Sequence, residues 1–143
     1  MNNQNDFHTM KGYEISSQNE LTPTMEDYLE MICRISDSQS FVRIGELSNK
    51  LHVKPSSATK IVQQLKALGY IKFEKYGHVT LTEKGIETGT YLLYRHNVLH
   101  DFLCALNNSA DELEQVEKIE HFLNKKTIDN IKSLAEQLKN DKT

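Results

Sequence analysis

The run PSSATKIVQQLKALGYIKFEKYGHVTL, Pro55 to Leu81, decides the fold. Pro55 suits the first position of a helix, where its missing N–H is not needed. From there the apolar side chains Ala58, Ile61, Val62, Leu65 and Leu68 recur at helical spacing, and Gly69 stops the run. The opposite face carries Ser56, Ser57, Thr59, Lys60, Gln63 and Gln64. These hydroxyls, amides and amine bond to base edges and phosphates without filling a major groove. After Gly69 the pattern changes to two short β runs, residues 70–73 and 79–81, joined by Glu74-Lys75-Tyr76-Gly77-His78 with Gly77 free to turn.

Working outward, a shorter helix is expected from about Arg43 to Leu51, with Ile44, Leu47 and Leu51 inward and the turn His52-Val53-Lys54 after it. Helix, turn, helix and a hairpin with a cationic tip describe a winged helix-turn-helix, whose wing tip, Lys75 to His78, lies on the DNA backbone or in the adjacent minor groove. A winged helix also serves as a plain protein-interaction module, but the polar outer face and local positive charge favour DNA. Before it, Thr24 is read as the cap of a helix over residues 25–35 with Met25, Tyr28, Leu29, Ile32 and Ile35 on its apolar face. Asp27 and Glu30 share the neighbouring face; taken alone, they only answer the helix dipole. Residues 1–21 have no helical or strand period and read as a mobile tail.

On the other side, Thr82 caps a long helix to about Leu106, apolar nearly all round in its second half (Tyr91, Leu92, Leu93, Tyr94, Val98, Leu99, Phe102, Leu103, Leu106) and so expected to be buried both in a core and at a subunit interface. His96 falls inside that run. Asn107 and Asn108 break it, Ser109 with Glu112 reads as a capping box for the next helix, and a last helix from near Thr127 presents Ile128, Ile131, Leu134 and Leu138. The expected fold class is mainly α with a small β wing. Residues 22–89 form an N-terminal winged helix-turn-helix DNA-binding domain and residues 90–143 a C-terminal helical dimerisation and metal-binding domain.

At 143 residues and 38% hydrophobic, the chain buries one modest core or two small ones. No segment is apolar enough to span a membrane and the N-terminus lacks an apolar signal core, so a cytoplasmic location is expected. Cys33 and Cys104 make neither a disulfide framework nor a CxxC pair. The net charge of −3 hides a division: residues 42–84 hold eight Lys or Arg against three acids, and residues 97–143 hold nine acids against six Lys. One segment is thus suited to phosphate and another to cations.

The cation-holding segment centres on Val116-Glu117-Lys118-Ile119-Glu120-His121. On a helical wheel Glu117 and Glu120 fall within the arc of Leu113 and Val116, with His121 at its edge, so the acids are expected to point where the apolar side chains point. A buried carboxylate needs compensation, which a divalent cation supplies well when imidazole and further oxygens complete its shell. Asp27, Glu30, His96, Glu117, Glu120 and His121 together make a hard, oxygen-rich set suited to Mn²⁺ or Fe²⁺. Without cations, the carboxylates are expected to push the first helix away from the penultimate one.

The segments Thr24-Met25-Glu26-Asp27-Tyr28-Leu29-Glu30, Lys54-Pro55-Ser56-Ser57-Ala58-Thr59-Lys60, Tyr94-Arg95-His96 and Glu117-Lys118-Ile119-Glu120-His121 resemble the iron- and manganese-dependent repressors of the diphtheria toxin repressor family, and most closely its manganese transport regulators. The resemblance covers about residues 22–140. It implies that Asp27, Glu30, His96, Glu117, Glu120 and His121 are the side-chain ligands of a binuclear Mn²⁺ site, two ions per subunit, with Glu117 and Glu120 bridging. The iron-responsive branch carries methionine at the position of Asp27 and cysteine at that of Glu117, so Fe²⁺ stands as the alternative. The implied protein is a homodimeric, non-enzymatic repressor of metal-uptake genes that binds a palindromic double-stranded DNA operator through Ser56, Ser57, Thr59, Lys60, Gln63 and Lys75, with no membrane partner and no small-molecule substrate. A winged-helix regulator of an organic ligand and a two-metal hydrolase are the rival classes.

Overall fold

A computed structural model describes residues 20–141. The tail expected over residues 1–21 therefore lies outside the described residues except for Glu20 and Leu21. Those two are anchored: Glu20 accepts hydrogen bonds from the Tyr70 hydroxyl and from Lys84 Nζ, and Leu21 packs on the core. Helix α1 spans Pro23–Ser36 and starts earlier than expected. Pro23 takes the first helical position and Thr22, not Thr24, is the cap, its Oγ1 accepting from Met25 N at 3.2 Å.

The winged helix-turn-helix follows: β1 (Val42–Arg43), α2 (Ile44–Leu51), α3 (Pro55–Ala67), β2 (Ile71–Glu74), a 3₁₀ turn (Lys75–Gly77) and β3 (His78–Leu81). The sheet is three-stranded and antiparallel in the order β1-β3-β2, with Phe73 and Val42 both opposite Val79. Arg43, expected in the helix, closes β1 instead. Burial of Val42 against the sheet outweighs helical propensity there, and the Phe41 ring stacks on His78 at 3.8 Å.

The long helix α4 (Glu83–Asn107) is capped by Thr82, whose Oγ1 accepts from Gly85 N at 3.1 Å. It ends at Asn108 in the left-handed region (φ 52°). Its start is pressed onto the wing: a Cβ at Gly85 would lie 2.0 Å from the Tyr70 carbonyl oxygen, and one at Gly89 3.1 Å from Cys33 Sγ. Glycine is required at position 85 by that approach. Helix α5 (Leu113–Ile119), a 3₁₀ turn (Glu120–Phe122) and α6 (Lys125–Asp141) complete the chain. The expected capping box does not form. Ser109 Oγ donates to the Glu112 carboxylate, and the Asp111 carboxylate accepts from Leu113 N at 2.9 Å instead. Before α6, Asn124 caps by accepting from Thr127 N.

Two apolar cores result. Leu29, Ile32, Leu47, Val62, Leu65, Val79 and Leu92 belong to the first, and Val98, Leu99, Leu103, Val116 and Ile128 to the second. Helix α4 contributes to both, so it is the beam that joins the winged-helix half to the C-terminal half.

Candidate metal centre

The site forms where α1, the middle of α4 and the 3₁₀ turn meet. Glu120, only 2% exposed, places Oε2 3.0 Å from His96 Nδ1, and Glu30 Oε2 lies 3.9 Å from the same nitrogen. On the other side of Glu120, His121 lies between two acids of α1: its Nδ1 is 2.7 Å from Glu26 Oε1 and its Nε2 is 2.9 Å from Asp27 Oδ1. Donor atoms of Glu30, His96 and Glu120 all fall within 4.8 Å of one another, and so do those of Asp27, Glu120 and His121. Glu120 is common to both groups.

The electrostatics of this pocket are unusual. Burial, reinforced by repulsion from Glu120, pushes Glu30 up to about 7, against the opposing pull of His96 and Arg34. Burial also works against the charge on Glu120, but the hydrogen bond and positive charge of His96 overcome it and hold this carboxyl below the usual range. The hydrogen bond to Glu120 raises His96 in spite of burial. Burial opposes the charge on His121 too, and its bonds to Asp27 and Glu26 outweigh that penalty, lifting it to about 9. These oxygen and imidazole donors, with no thiolate among them, fit a hard or borderline divalent cation.

Five of the six expected ligands, Asp27, Glu30, His96, Glu120 and His121, are thus brought together. Glu117 is exposed and lies outside both groups. The helical wheel misplaces it because the inward line runs from Val116 of α5 to Glu120 at the start of the 3₁₀ turn, while Leu113 is 43% exposed and Glu117 is rotated about 100° from Val116. Cationic side chains are interleaved with the carboxylates of α1 and the turn. Arg34 donates to Glu30 (3.1 Å) within α1, Arg95 of α4 donates to Glu26 (3.2 Å), and His121 bridges Glu26 and Asp27, so His121 ties α1 to the turn and Arg95 ties it to α4. Glu26 and Arg95 were not foreseen as part of the site. A charged residue inside the apolar second half of α4 was the available signal, since arginine is rarely buried without a partner.

On α3, Ser56, Ser57, Lys60 and Gln63 are exposed, and Lys75 is exposed at the wing tip. Thr59 differs: half-buried, it donates its hydroxyl back to the Pro55 carbonyl at 3.0 Å. Tyr76, 87% exposed with φ 69°, occupies the wing tip beside Lys75.

Residues 20–79 match the iron dependent repressor N-terminal DNA binding domain, and residues 82–143 match the iron dependent repressor metal binding and dimerisation domain. The chain belongs to the iron-dependent repressor family. Among its relatives, the HTH-type transcriptional regulator MntR of Oceanobacillus iheyensis is 40% identical over 84% of this chain and 82% of its own length. That of Bacillus subtilis is 38% identical over 84% and 85%. Of solved structures, the metal-dependent transcriptional regulator MtsR aligns with a TM-score of 0.72 at 24% identity. A manganese-dependent transcriptional repressor complex with manganese aligns at 0.71 and 24%. The chain covers 55% and 52% of those two, about half their length, having itself 81% and 78% aligned, and at this identity they support the fold alone. Family membership makes this chain a metal-dependent, DNA-binding transcriptional regulator with a dimerisation domain, not an enzyme. Among the described residues no helix is long and apolar enough to cross a membrane.

Proposed function

We propose that the protein is a manganese-responsive repressor of metal-uptake genes, acting in the cytoplasm as a homodimer on a palindromic operator. Residues 22–89 carry the DNA reader and residues 90–143 the dimer contact. The observation that carries the manganese reading is Glu120, a buried carboxylate shared by two donor groups that reach across the chain from α1 to the C-terminal half. Bound there, a divalent cation supplies the positive charge that these acids otherwise draw from protons and arginines.

Asp27, Glu30, His96, Glu120 and His121 are the proposed first ligands of two Mn²⁺ ions per subunit, with Glu117 joining them from its exposed position on α5. Carboxylates in place of sulfur donors favour Mn²⁺ over softer metals, with Fe²⁺ the nearest competitor. Asp27 and Glu30 ride on α1, which packs directly on the reader, while Glu120 and His121 follow the C-terminal half. Metal affinity and the spacing of two readers are therefore linked, with a coupling of about 1–3 kcal/mol typical of such devices. Ser56, Ser57, Lys60 and Gln63 face the major groove, Lys75 meets phosphate, and Thr59 first has to release the Pro55 carbonyl.

The test uses an operator selected from random-sequence DNA by the intact protein in Mn²⁺. Glu120→Gln should abolish Mn²⁺-dependent retardation of that DNA while leaving the circular-dichroism spectrum intact. Retardation by the variant equal to that of the parent would remove the metal reading; anaerobic titration with Fe²⁺ in parallel separates the two metals.

A further inference from the structure

Resting on the metal centre proposed above, we infer that Glu26 and Arg95 are positioning residues that fix the proton of His121 on Nδ1 and present Nε2 as the metal-ligating nitrogen. The two nitrogens of His121 face different surroundings. Nε2 lies on the side of the Asp27-Glu120-His121 donor group, 2.9 Å from Asp27 Oδ1. Nδ1 lies 2.7 Å from Glu26 Oε1, and Glu26 belongs to neither donor group.

Glu26 Oε1 receives two donors. Arg95 Nη2 donates to it at 3.2 Å and His121 Nδ1 at 2.7 Å; the 3.4 Å between Arg95 Nη2 and Nδ1 is the separation of two donors meeting on one oxygen. The assembly is enclosed, with the Arg95 side chain 4% exposed, that of His121 7% and that of Glu26 18%. The Nε of Arg95 is buried without a hydrogen-bond partner. Arg95 sits there in spite of an unsatisfied donor, and its ion pair toward the site is the one to Glu26. An acid bonded to the non-ligating nitrogen sets the imidazole tautomer and the ring plane, and makes the other nitrogen a better ligand. Arg95 holds that acid in turn. Helix α1 thus contributes to His121 from both sides, Asp27 beside the donor nitrogen and Glu26 behind the ring.

Cadmium-113 is the probe, because its spin couples to a ligating nitrogen without paramagnetic broadening. In the parent protein labelled with ¹⁵N-histidine and loaded with ¹¹³Cd²⁺, coupling is expected to His121 Nε2, with the proton retained on Nδ1. Glu26→Ala should lose the single tautomer and weaken Cd²⁺ and Mn²⁺ binding by about 10–100-fold. Glu26→Gln keeps a carbonyl acceptor at that place and should preserve the Nδ1–H tautomer with a smaller loss of affinity. Arg95→Lys should fall between them, and a circular-dichroism spectrum identifies any variant that fails to fold. If Glu26→Ala destroys the fold, the comparison of Glu26→Gln with the parent decides: mixed tautomers in the parent, or coupling at Nδ1, overturn the inference. Unchanged affinity and tautomer in a folded Glu26→Ala overturn it while leaving the metal centre standing. Absence of any coupling to His121 in the parent overturns the inference together with the metal centre on which it rests.

Discussion

Metal binding at this site should be a proton exchange, with a stoichiometry set by the pocket. Ligation needs His121 neutral at one nitrogen and Glu30 ionised, yet the pocket raises the first to about 9 and the second to about 7. At pH 7 the metal-free protein therefore holds about one proton on His121 and about half a proton on Glu30 that Mn²⁺ has to displace. His96, raised as well by its bond to Glu120, adds to the count. The His121 proton alone costs about 2.7 kcal/mol at pH 7, or about 100-fold in apparent affinity. Between pH 6 and pH 8 the His121 contribution changes the affinity by about 100-fold and that of Glu30 by about 10-fold, so the apparent Kd should fall about a thousandfold. Titration calorimetry with MnCl₂ in buffers of different ionisation enthalpy reads the proton count directly. A release of about 1.5 protons or more per subunit at pH 7, declining toward pH 8, is expected. Release of well under one proton at pH 7, with an affinity flat across this interval, would show that the ligands are already stripped of protons and that the ion pairs drawn here do not form.

Other consequences follow from the same contacts. His121 and Glu30 both have folded pKa values above their unfolded ones, so each contributes stability that is lost as pH rises: Glu30 between about 4.5 and 7, His121 between about 6.5 and 9. The metal-free protein should therefore lose stability from pH 6 to pH 9, by an amount of the order of 3 kcal/mol from His121, and saturating Mn²⁺ should reverse that trend in a thermal melt. Gly85→Ala drives a methyl group into the Tyr70 carbonyl and should cost about 1–3 kcal/mol in urea unfolding; an unchanged midpoint would mean that α4 does not press on the wing as described. Neutralising the exposed Lys60 should weaken binding to specific and non-specific DNA alike and reduce the slope of log K against log salt by about 0.9, whereas a loss confined to one base position would assign Lys60 to sequence reading.

The reader was legible because its signals are local. Pro55 and Gly69 bracket α3, the period changes from helical to alternating at Ile71, and Gly77 at φ 73° permits the wing turn. The Thr82 cap of α4 was equally plain. What escaped depends on tertiary contact. Val42 and Arg43 enter the sheet only because β3 is there to pair with them, and two residues are too few to show a period. Gly85 carries no sequence sign of its near approach to Tyr70. Of the five clustered donors, Glu120 and His121 stand out by spacing, while Asp27, Glu30 and His96 join them by residue type and by the family resemblance; the direction of Glu117 is lost because a wheel drawn from Leu113 assumes that the same face stays inward. Helix α5 is short, and only Val116 anchors it in the core. Arg95 was passed over because charged residues are ordinarily read as surface, although at 4% exposure it is among the least accessible side chains near the site.

The position of Arg95 also changes what metal must do. Bare repulsion among Glu26, Asp27, Glu30 and Glu120 would have made the metal-free protein spring apart, and a cation would then act by relieving it. Instead Arg95 of α4 meets Glu26, and His121, raised to about 9, bridges Glu26 and Asp27, so cationic side chains tie α1 to the C-terminal half, while Arg34 offsets the charge of Glu30 within α1. The free energy available for switching is then the difference between a metal-tied and a proton-tied seam. That difference depends on pH, because the tie being replaced is made partly of protons. It also has a direction: raising pH strips His121 and Glu30, loosens the metal-free seam and strengthens metal binding at once, so the coupling between metal and DNA should grow from pH 6 to pH 8. Measuring operator affinity with and without saturating Mn²⁺ across that interval tests the idea; a ratio that stays constant would mean that protons and metal are not exchanged at the contact that sets the reader's position.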